Sequence, residues 1–503
     1  MGERGTISLH IGQAGIQMGS ALWELLSAEH YIGNDGYPAA DAEEDELHQS
    51  KSFFNETAKG MFVPRSIMVD LEPIVVDEIR TGYYRGLFHA DSLISGFEDA
   101  ANNFARGFFT IGNLITSKVT EEIRRAIEAC DSVQSIMFYR SLGGGTGSGL
   151  TAALFDYLSE FSKTVRCEVP IYPSPTLTSA TVEPINCILG QHFVMDDVDL
   201  SFLIDNEALY DIYYSQLLMK NPTLHDINRL IALVCSSATA PSRFPSIVDN
   251  DLNAMTTNLI PFPRIHFPLI NLAPVASHYK SSHENNSTIE IINDVFKKQN
   301  QLVRVDPSLG RYMSCSLLLR GDISIPDVYQ ALGNIKNRKD IKWVDWLPTA
   351  FKVGLIMKPI TTVISSKIAS PRRSVTMLTN SSVVGQAFHK IVHRFHVLYN
   401  KRAFVHWFVG EGLEEVEFSE ALLNLANLVK DYEECSLTNE EVAVNIDNDD
   451  EPNEEKVNKG KMEESAAAEA SAAKGAAEEP EEVAPESEAE PETEPEPEDE
   501  AAE

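Results

Sequence analysis

The sequence predicts an α/β fold: a Rossmann-like domain with a mostly parallel sheet over residues 1–205, a mixed α/β domain over 206–383, a C-terminal helical hairpin over 384–440 and a disordered acidic tail over 441–503. Three observations carry this prediction. Strand and helix patterns alternate through the first two hundred residues, a glycine-rich turn (SLGGGTGSGL, 141–150) follows one of those strands, and the composition changes sharply near residue 440.

Residues 6–12 (TISLHIG) read as a strand, 13–30 as an amphipathic helix and 65–73 (RSIMVDLEP) as a strand that ends in two acids. A long helix is expected over 104–130, then a buried strand over 132–140, the glycine turn, and a helix carrying Leu150, Leu154, Tyr157 and Leu158. Strands recur at 166–174 and 200–208. Strands separated by helices are joined by crossovers, which makes them parallel and puts helices on both faces. From Asp205 to about Val383 the pattern is mixed, with a helix over 227–237, strands over 312–321 and 351–357, and proline-marked loops. Two amphipathic helices then close the body. Val384, Phe388, Ile391, Phe395 and Leu398, and likewise Phe418, Leu422, Leu425, Val429 and Tyr432, repeat at three and four, so these stripes should pack inward.

The glycine turn holds five glycines in seven residues and no bulky side chain from 143 to 149. A strand-to-helix turn of this kind aims successive backbone N–H groups, together with the positive end of a helix dipole, at one point, where phosphate can bind. Neither the Lys-Ser/Thr pair of a P-loop nor the G-x-G-x-x-G spacing is present, so a purely structural turn stays open. In open parallel sheets ligands sit beyond the carboxyl ends of the strands, and polar residues gather there: Gln13 and Ala14, Asp70 and Glu72, Asp99, Ala100 and Asn102, Ser141 with the turn, Ser179 and Glu183, and Asn206. Asp70 or Glu72 would suit Mg²⁺, which takes one or two carboxylates plus phosphate oxygens, and another acid could accept from ribose hydroxyls.

At 503 residues and 43% hydrophobic, the chain can build a large core and divide into two or three domains. Its net charge of −34 is uneven: residues 441–503 hold 24 Asp/Glu against 4 Lys, net −20, leaving −14 for the rest. Apart from alanine that tail has six apolar residues, too few to offset the entropy of ordering. Negative charge argues against nucleic acid, and the lack of a signal peptide or a run of eighteen apolar residues argues for a cytosolic protein without membrane insertion. The six cysteines (130, 167, 187, 235, 315, 435) show no framework spacing and read as reduced thiols. His389 and His393 stand four apart, but Lys390 and Arg394 beside them argue against a metal.

GQAG (12–15), VDLEP (69–73), EDAANNFARG (98–107), GGGTGSG (143–149), NLIPFPRIHFPL (258–269) and KRAFVHWFVGEGLEE (401–415) occur in this order, and together they resemble the tubulin family over residues 1–438. RAFVHW and the extra residues within 360–375 look like the α type. The resemblance implies a GTP-binding subunit that needs Mg²⁺, pairs with β-tubulin, and stacks head to tail with further tubulin dimers into the microtubules of the cytoplasmic cytoskeleton, cilia or axonemes included. It implies phosphate contacts from Gly143, Gly144, Gly145, Thr146 and Gly147. Further nucleotide contacts fall on Gln13, Ala14, Glu72, Asp99, Ala100, Asn102, Ser141, Ser179, Glu183, Asn206, Leu224 and Asn228, with Glu72, and Asp70 nearby, on the magnesium side. The closing helices would form the outer face met by motors and microtubule-associated proteins. A regulator that binds nucleotide and caps or sequesters tubulin without entering the filament is the alternative.

The chain also departs from the family. Ala254 occupies the place of the glutamate that the α subunit offers to the GTP of the next β subunit, leaving no intact catalytic residue; Asp251 is a weak substitute, and Asp249 replaces a usual asparagine. Losing such a group costs about 10² to 10⁴ in rate, roughly 3 to 5 kcal/mol. Leu224 stands where an aromatic usually stacks on guanine, which lowers base affinity by about 1 kcal/mol. The stretch 32–50 contains no lysine to acetylate, and the chain ends in Glu503 rather than tyrosine, so the tyrosine-removal cycle has no substrate.

Overall fold

The computed structural model describes residues 4–40, 42–158, 164–174, 176–178, 180–248, 251–278, 280, 287–347, 351–363 and 365–437. The acidic tail, Ser179 and Asp249 lie outside them.

Strand β1 (Arg4–Ile11) leads into helix α1 (Gly12–Glu29) and, through α2 (Glu44–Ser50) and the small hairpin β2 (Phe54–Glu56) and β3 (Phe62–Pro64), to β4 (Ser66–Asp70). Then follow α3 (Pro73–Thr81), β5 (Leu93–Ser95), α4 (Ile111–Glu128), β6 (Ser132–Ser141), α5 (Thr151–Leu158), β7 (Val165–Tyr172), α6 (Glu183–His192), β8 (Leu200–Ser201) and β9 (Ile204–Asp205). The strands are buried on both faces, as a sheet covered on both sides requires, with buried Thr6, Ser8 and His10 on one face of β1 and Ile7, Leu9 and Ile11 on the other. All pair in parallel in the order β5-β4-β1-β6-β7-β8, with β9 also on β7. After β1 the chain moves outward to β4 and β5, then returns to the other side of β1 for β6 and β7. The order therefore reverses between β1 and β6, and the crevice beyond their carboxyl ends is the natural ligand position.

The strand expected over 200–208 is broken into two short pieces. The N–H groups of Ser201 and Leu203 turn away to the carbonyls of His266 (2.9 Å) and Pro268 (3.3 Å), while Phe202 N–H bonds Glu168 O (2.9 Å), so the segment divides its hydrogen bonds between two neighbours. After α7 (Asn206–Ser215), the helix expected over 227–237 extends to α8 (Leu224–Arg243). Its extra first turn is set by a capping box in which Asp226 N–H donates to Thr223 Oγ1 (3.3 Å) and Thr223 N–H to Asp226 Oδ2 (3.0 Å).

Beyond β10 (Ser246–Val248) and α9 (Leu252–Leu259) come β11 (Leu269–Ala273), α10 (Thr288–Asp294), β12 (Tyr312–Gly321), α11 (Ile325–Lys336), β13 (Phe351–Ile356) and β14 (Arg373–Ser381). The second sheet has the order β10-β13-β12-β14-β11, with β12 and β13 parallel and the other pairs antiparallel. Helices α12 (Val384–Tyr399), α13 (Val405–Val409) and α14 (Glu415–Glu434) close the body. Their stripes are buried at Phe388, Phe395, Phe418, Leu425 and Tyr432, and the Phe388 ring meets those of Tyr172 and Phe267 at 5.8 and 4.9 Å. All six cysteines are free thiols, four of them buried.

Two polar features of this core bear on its stability. His10 is fully buried, stacks on Tyr139 at 4.6 Å and accepts from Trp23 Nε1–H at 3.0 Å. Burial lowers its pKa to about 3, and that of His30 to about 3 as well, the Arg243 guanidinium adding to the effect at His30. The unfolded chain takes up these protons near pH 6.5 and the native state refuses them, so each histidine removes stability as pH falls from 6.5 towards 3. Substituting His10→Gln, whose amide can still accept from Trp23, should shrink the stability lost between pH 7 and pH 5 by about 2 kcal/mol, measured by denaturant titration at each pH.

The second is a buried ionic cluster. Glu29 of α1 pairs with Arg243 of α8 (2.6 Å) and Arg320 of β12 (3.2 Å), all three almost wholly excluded from water. Burial alone would raise the Glu29 carboxyl, but the two guanidiniums and the Ser236 hydroxyl hold it at about 2. One carboxylate faces two cations, and the excess positive charge is met by the carbonyls of Ser236 (2.7 Å) and Pro359 (3.1 Å) and by the face of Phe244, 4.8 Å from Arg243 and 5.5 Å from Arg320.

Candidate functional site

Apart from Ser179, which lies outside the described residues, the polar residues expected at strand ends lie along the carboxyl edge of the first sheet. Gly12, the first residue after β1, has φ +74°, and a Cβ there would lie 3.4 Å from Gly147 N and 3.5 Å from Thr146 Cβ, so exposed Gln13 and half-buried Ala14 stand beside the glycine turn. Asp70 ends β4 and accepts from Leu71 N–H at 2.8 Å; burial, with the Asp99 and Glu72 carboxylates adding to it, pushes its pKa up to about 7. Glu72 caps α3, half-buried. After β5 the loop runs through Asp99 and buried Ala100 to Ala101 and Asn102, both left-handed at φ 48° and 54°. Such residues cost on the order of 1–3 kcal/mol each and persist where surrounding contacts hold them.

Asn186 supplies that contact. Fully buried on α6, it donates through Nδ2 to the carbonyls of Asn102 (2.7 Å) and Gly143 (2.9 Å) and accepts from Phe104 N–H (3.0 Å), tying the left-handed loop to the glycine turn. Sequence reasoning missed this residue. Its signal was an amide inside the apolar run PINCILG, where a buried polar group needs partners. Glu183 begins the same helix and accepts from Ala180 N–H at 3.0 Å, with Gly143 packed on its side chain.

The glycines of the turn divide by cause. A Cβ on Gly145 would meet Asn103 backbone at 2.6 Å, and one on Gly147 would meet Ser141 O at 2.3 Å, so the protein's own packing demands those two whatever binds. Gly144 is different: a Cβ there meets nothing within 4 Å. The backbone N–H groups of Gly144, Gly145 and Thr146 find no acceptor among the described residues, although they open the helix formed by Thr146–Leu150 and α5. A cradle open above Gly144, with unpaired donors at a helix start, fits a phosphate group.

Other residues lie further out. Asn206 opens α7 beyond β9, after Asp205, which caps that helix by accepting from Glu207 N–H at 3.0 Å. Leu224, more than half exposed, and Asn228 stand on the first turns of α8 and face Ile16 of α1 across a cavity. Ala254 is on α9, where Asp251 is the cap: its Oδ1 accepts from Ala254 N–H (2.9 Å) and its Oδ2 from Gln134 Nε2 (3.2 Å). His389 and His393 point outward on α12, and among the described residues no group of three or more His, Cys, Asp or Glu is arranged to hold a metal.

Residues 6–214 match the Tubulin/FtsZ family, GTPase domain, and residues 263–393 match the Tubulin C-terminal domain. The chain belongs to the tubulin family. This tubulin is 48% identical over 440 residues to the tubulin alpha-1 chain of Schizosaccharomyces pombe, covering 86% of this chain and 96% of the yeast protein. It is 47% identical over 437 residues to the tubulin alpha-3 chain of Saccharomyces cerevisiae, covering 85% and 97%. The GTPase-domain match takes in the whole sheet edge just described, from Gln13 to Asn206. No helix of this tubulin, among the described residues, is long and apolar enough to cross a membrane.

Proposed function

We propose that this chain is an α-type tubulin subunit that binds GTP with Mg²⁺ at the carboxyl edge of the first sheet, pairs with β-tubulin and enters microtubules head to tail. The observation that carries the reading is the cradle at Gly144: packing explains its neighbours but not this glycine, and a phosphate does. Gly143, Gly144, Gly145, Thr146 and Gly147 would hold the phosphates, Glu72 and Asp70 would lie on the magnesium side, and Gln13, Asp99, Ala100, Asn102, Ser141, Glu183, Asn206 and Asn228 would surround the rest. Asp70 and Glu72 are hard oxygen donors of the kind that would hold Mg²⁺, and the ion would supply neutralisation of phosphate charge there.

Head-to-tail stacking is a heterologous contact, which extends into a filament when it does not close. Apolar side chains exposed on the surface, Phe97, Tyr329 and Trp407 among them, are suited to such contacts. On this reading the chain works in the cytoplasmic microtubule cytoskeleton, with α12 and α14 on the face presented to motors and associated proteins. Its own contribution to the partner's hydrolysis is weak. The methyl group of Ala254 accepts no hydrogen bond, and Asp251, the cap of α9, directs its two oxygens to Ala254 N–H and Gln134 Nε2 of its own chain.

The test combines assembly and nucleotide content. The full chain purified with a β-type partner should pellet with microtubules and release guanine nucleotide on denaturation. Gly144→Ala, whose methyl group enters open space, should leave soluble yield unchanged and should lower the nucleotide retained by this chain, taken as the total less the partner's own share, at least tenfold. A folded variant that keeps its full nucleotide content would sink the assignment of the cradle.

A further inference from the structure

A cavity of about 610 Å³ opens between α1, α3 and the first turn of α8. Its walls are apolar at Ile16, Val75, Phe88 and Leu224, and its polar groups include Ser20 and Asn228. Sites of 300–1,000 Å³ typically enclose a whole drug-sized molecule, so this volume is more than one purine base needs. Glu24 and Glu78 also reach the cavity, Glu24 with both oxygens paired to Arg229 at 3.2 and 3.3 Å, so the lining disfavours a further anion and suits an uncharged group. The Tyr84 ring, in edge contact with Tyr83 at 5.1 Å, adds a flat apolar surface. Leu224 and Asn228 belong both to this cavity and to the residues assigned above to the nucleotide, and Ile16 lies one turn from Gln13 at the start of α1. On that assignment the cavity borders the base end of the nucleotide site, and aliphatic Leu224 places no ring at that border.

We propose that the base end of the nucleotide site continues into this cavity, so that the protein accepts a guanine nucleotide whose base is lengthened by an uncharged aromatic ring about as readily as GTP itself. The proposal rests on the nucleotide reading above and adds the class of base that the site takes.

The probe is lin-benzoguanosine triphosphate, a guanine nucleotide with a benzene ring inserted between the two rings of the base. The full chain is synthesised with its β-type partner in a cell-free extract holding equal GTP and probe, and nucleotide released from the purified, folded protein is quantified by chromatography. The share of probe bound by this chain is obtained by subtracting a parallel sample in which Gly144→Ala removes the cradle. The expected result is retention of the probe within about threefold of GTP. Ser20→Phe, which fills the far wall, and Leu224→Tyr, a change at an exposed position that does not depend on core packing, should each lower the probe-to-GTP ratio at least tenfold. Retention of GTP with exclusion of the probe, or a ratio that neither variant moves, overturns the proposal and leaves the nucleotide site standing. Loss of both nucleotides from folded protein overturns the nucleotide reading itself.

Discussion

Ala254→Glu should raise phosphate release during assembly by about 10²- to 10⁴-fold, the range that a positioned general base contributes. On the proposed reading the introduced carboxylate on α9 would act in trans on the neighbour's nucleotide, so release by unassembled dimers should stay as it was. Polymers of the unmodified chain should accordingly keep their triphosphate and shrink slowly on dilution, and those of the variant should shrink fast. Two controls separate chemistry from structure. Ala254→Gln offers hydrogen bonds without a base and should recover little. Asp251→Asn, whose amide oxygen can still cap α9, should not lower hydrolysis, because Asp251 faces donors of its own chain, Ala254 N–H and Gln134. A rate in the unmodified polymer equal to that of the Ala254→Glu variant would remove the idea.

Glu29→Ala should cost about 3–5 kcal/mol or more, enough to abolish soluble protein in a molecule of ordinary stability. The loss is not of one contact. Removing the carboxylate leaves the Arg243 and Arg320 guanidiniums buried side by side with no anion between them. Replacing all three together by Leu, Met and Met should recover most of the loss, since it removes the buried charges as well as their attraction. Soluble yield and the thermal midpoint of the three forms decide the matter; a single Glu29→Ala variant as stable as the parent would show that the cluster contributes nothing.

The fold was readable where local pattern and tertiary environment agree. The strands at 132–141, 312–321 and 351–356 and both closing helices appear as their periodicity predicts, because each buries one continuous set of side chains. Periodicity failed at 200–205, where one segment serves two neighbours, a fact that resides in the partner carbonyls of Glu168, His266 and Pro268 and not in the segment. It also stopped short of the first turn of α8, whose signal was the Thr223–Asp226 cap and not an apolar stripe. In the site, the strand-end residues could be named from order alone, since parallel strands deliver their ends to one edge. Asn186 could not, because its three partners come from two distant loops. Nor could the glycines be sorted by sequence: Gly144 and Gly145 are adjacent and identical as letters, and only the space around each tells a ligand cradle from a packing contact.

The divided bonding at 200–205 limits how the molecule can be dissected. The amides of Ser201, Leu203 and Asp205 reach carbonyls at residues 266, 268 and 302, far along the chain. A fragment ending at residue 214, where the GTPase-domain match stops, would strand those donors along a raw, uncovered margin, an invitation to intermolecular strand addition. Excised, the nucleotide-binding segment should clump before it could bind anything, and its chemistry is open to study in the whole polypeptide alone.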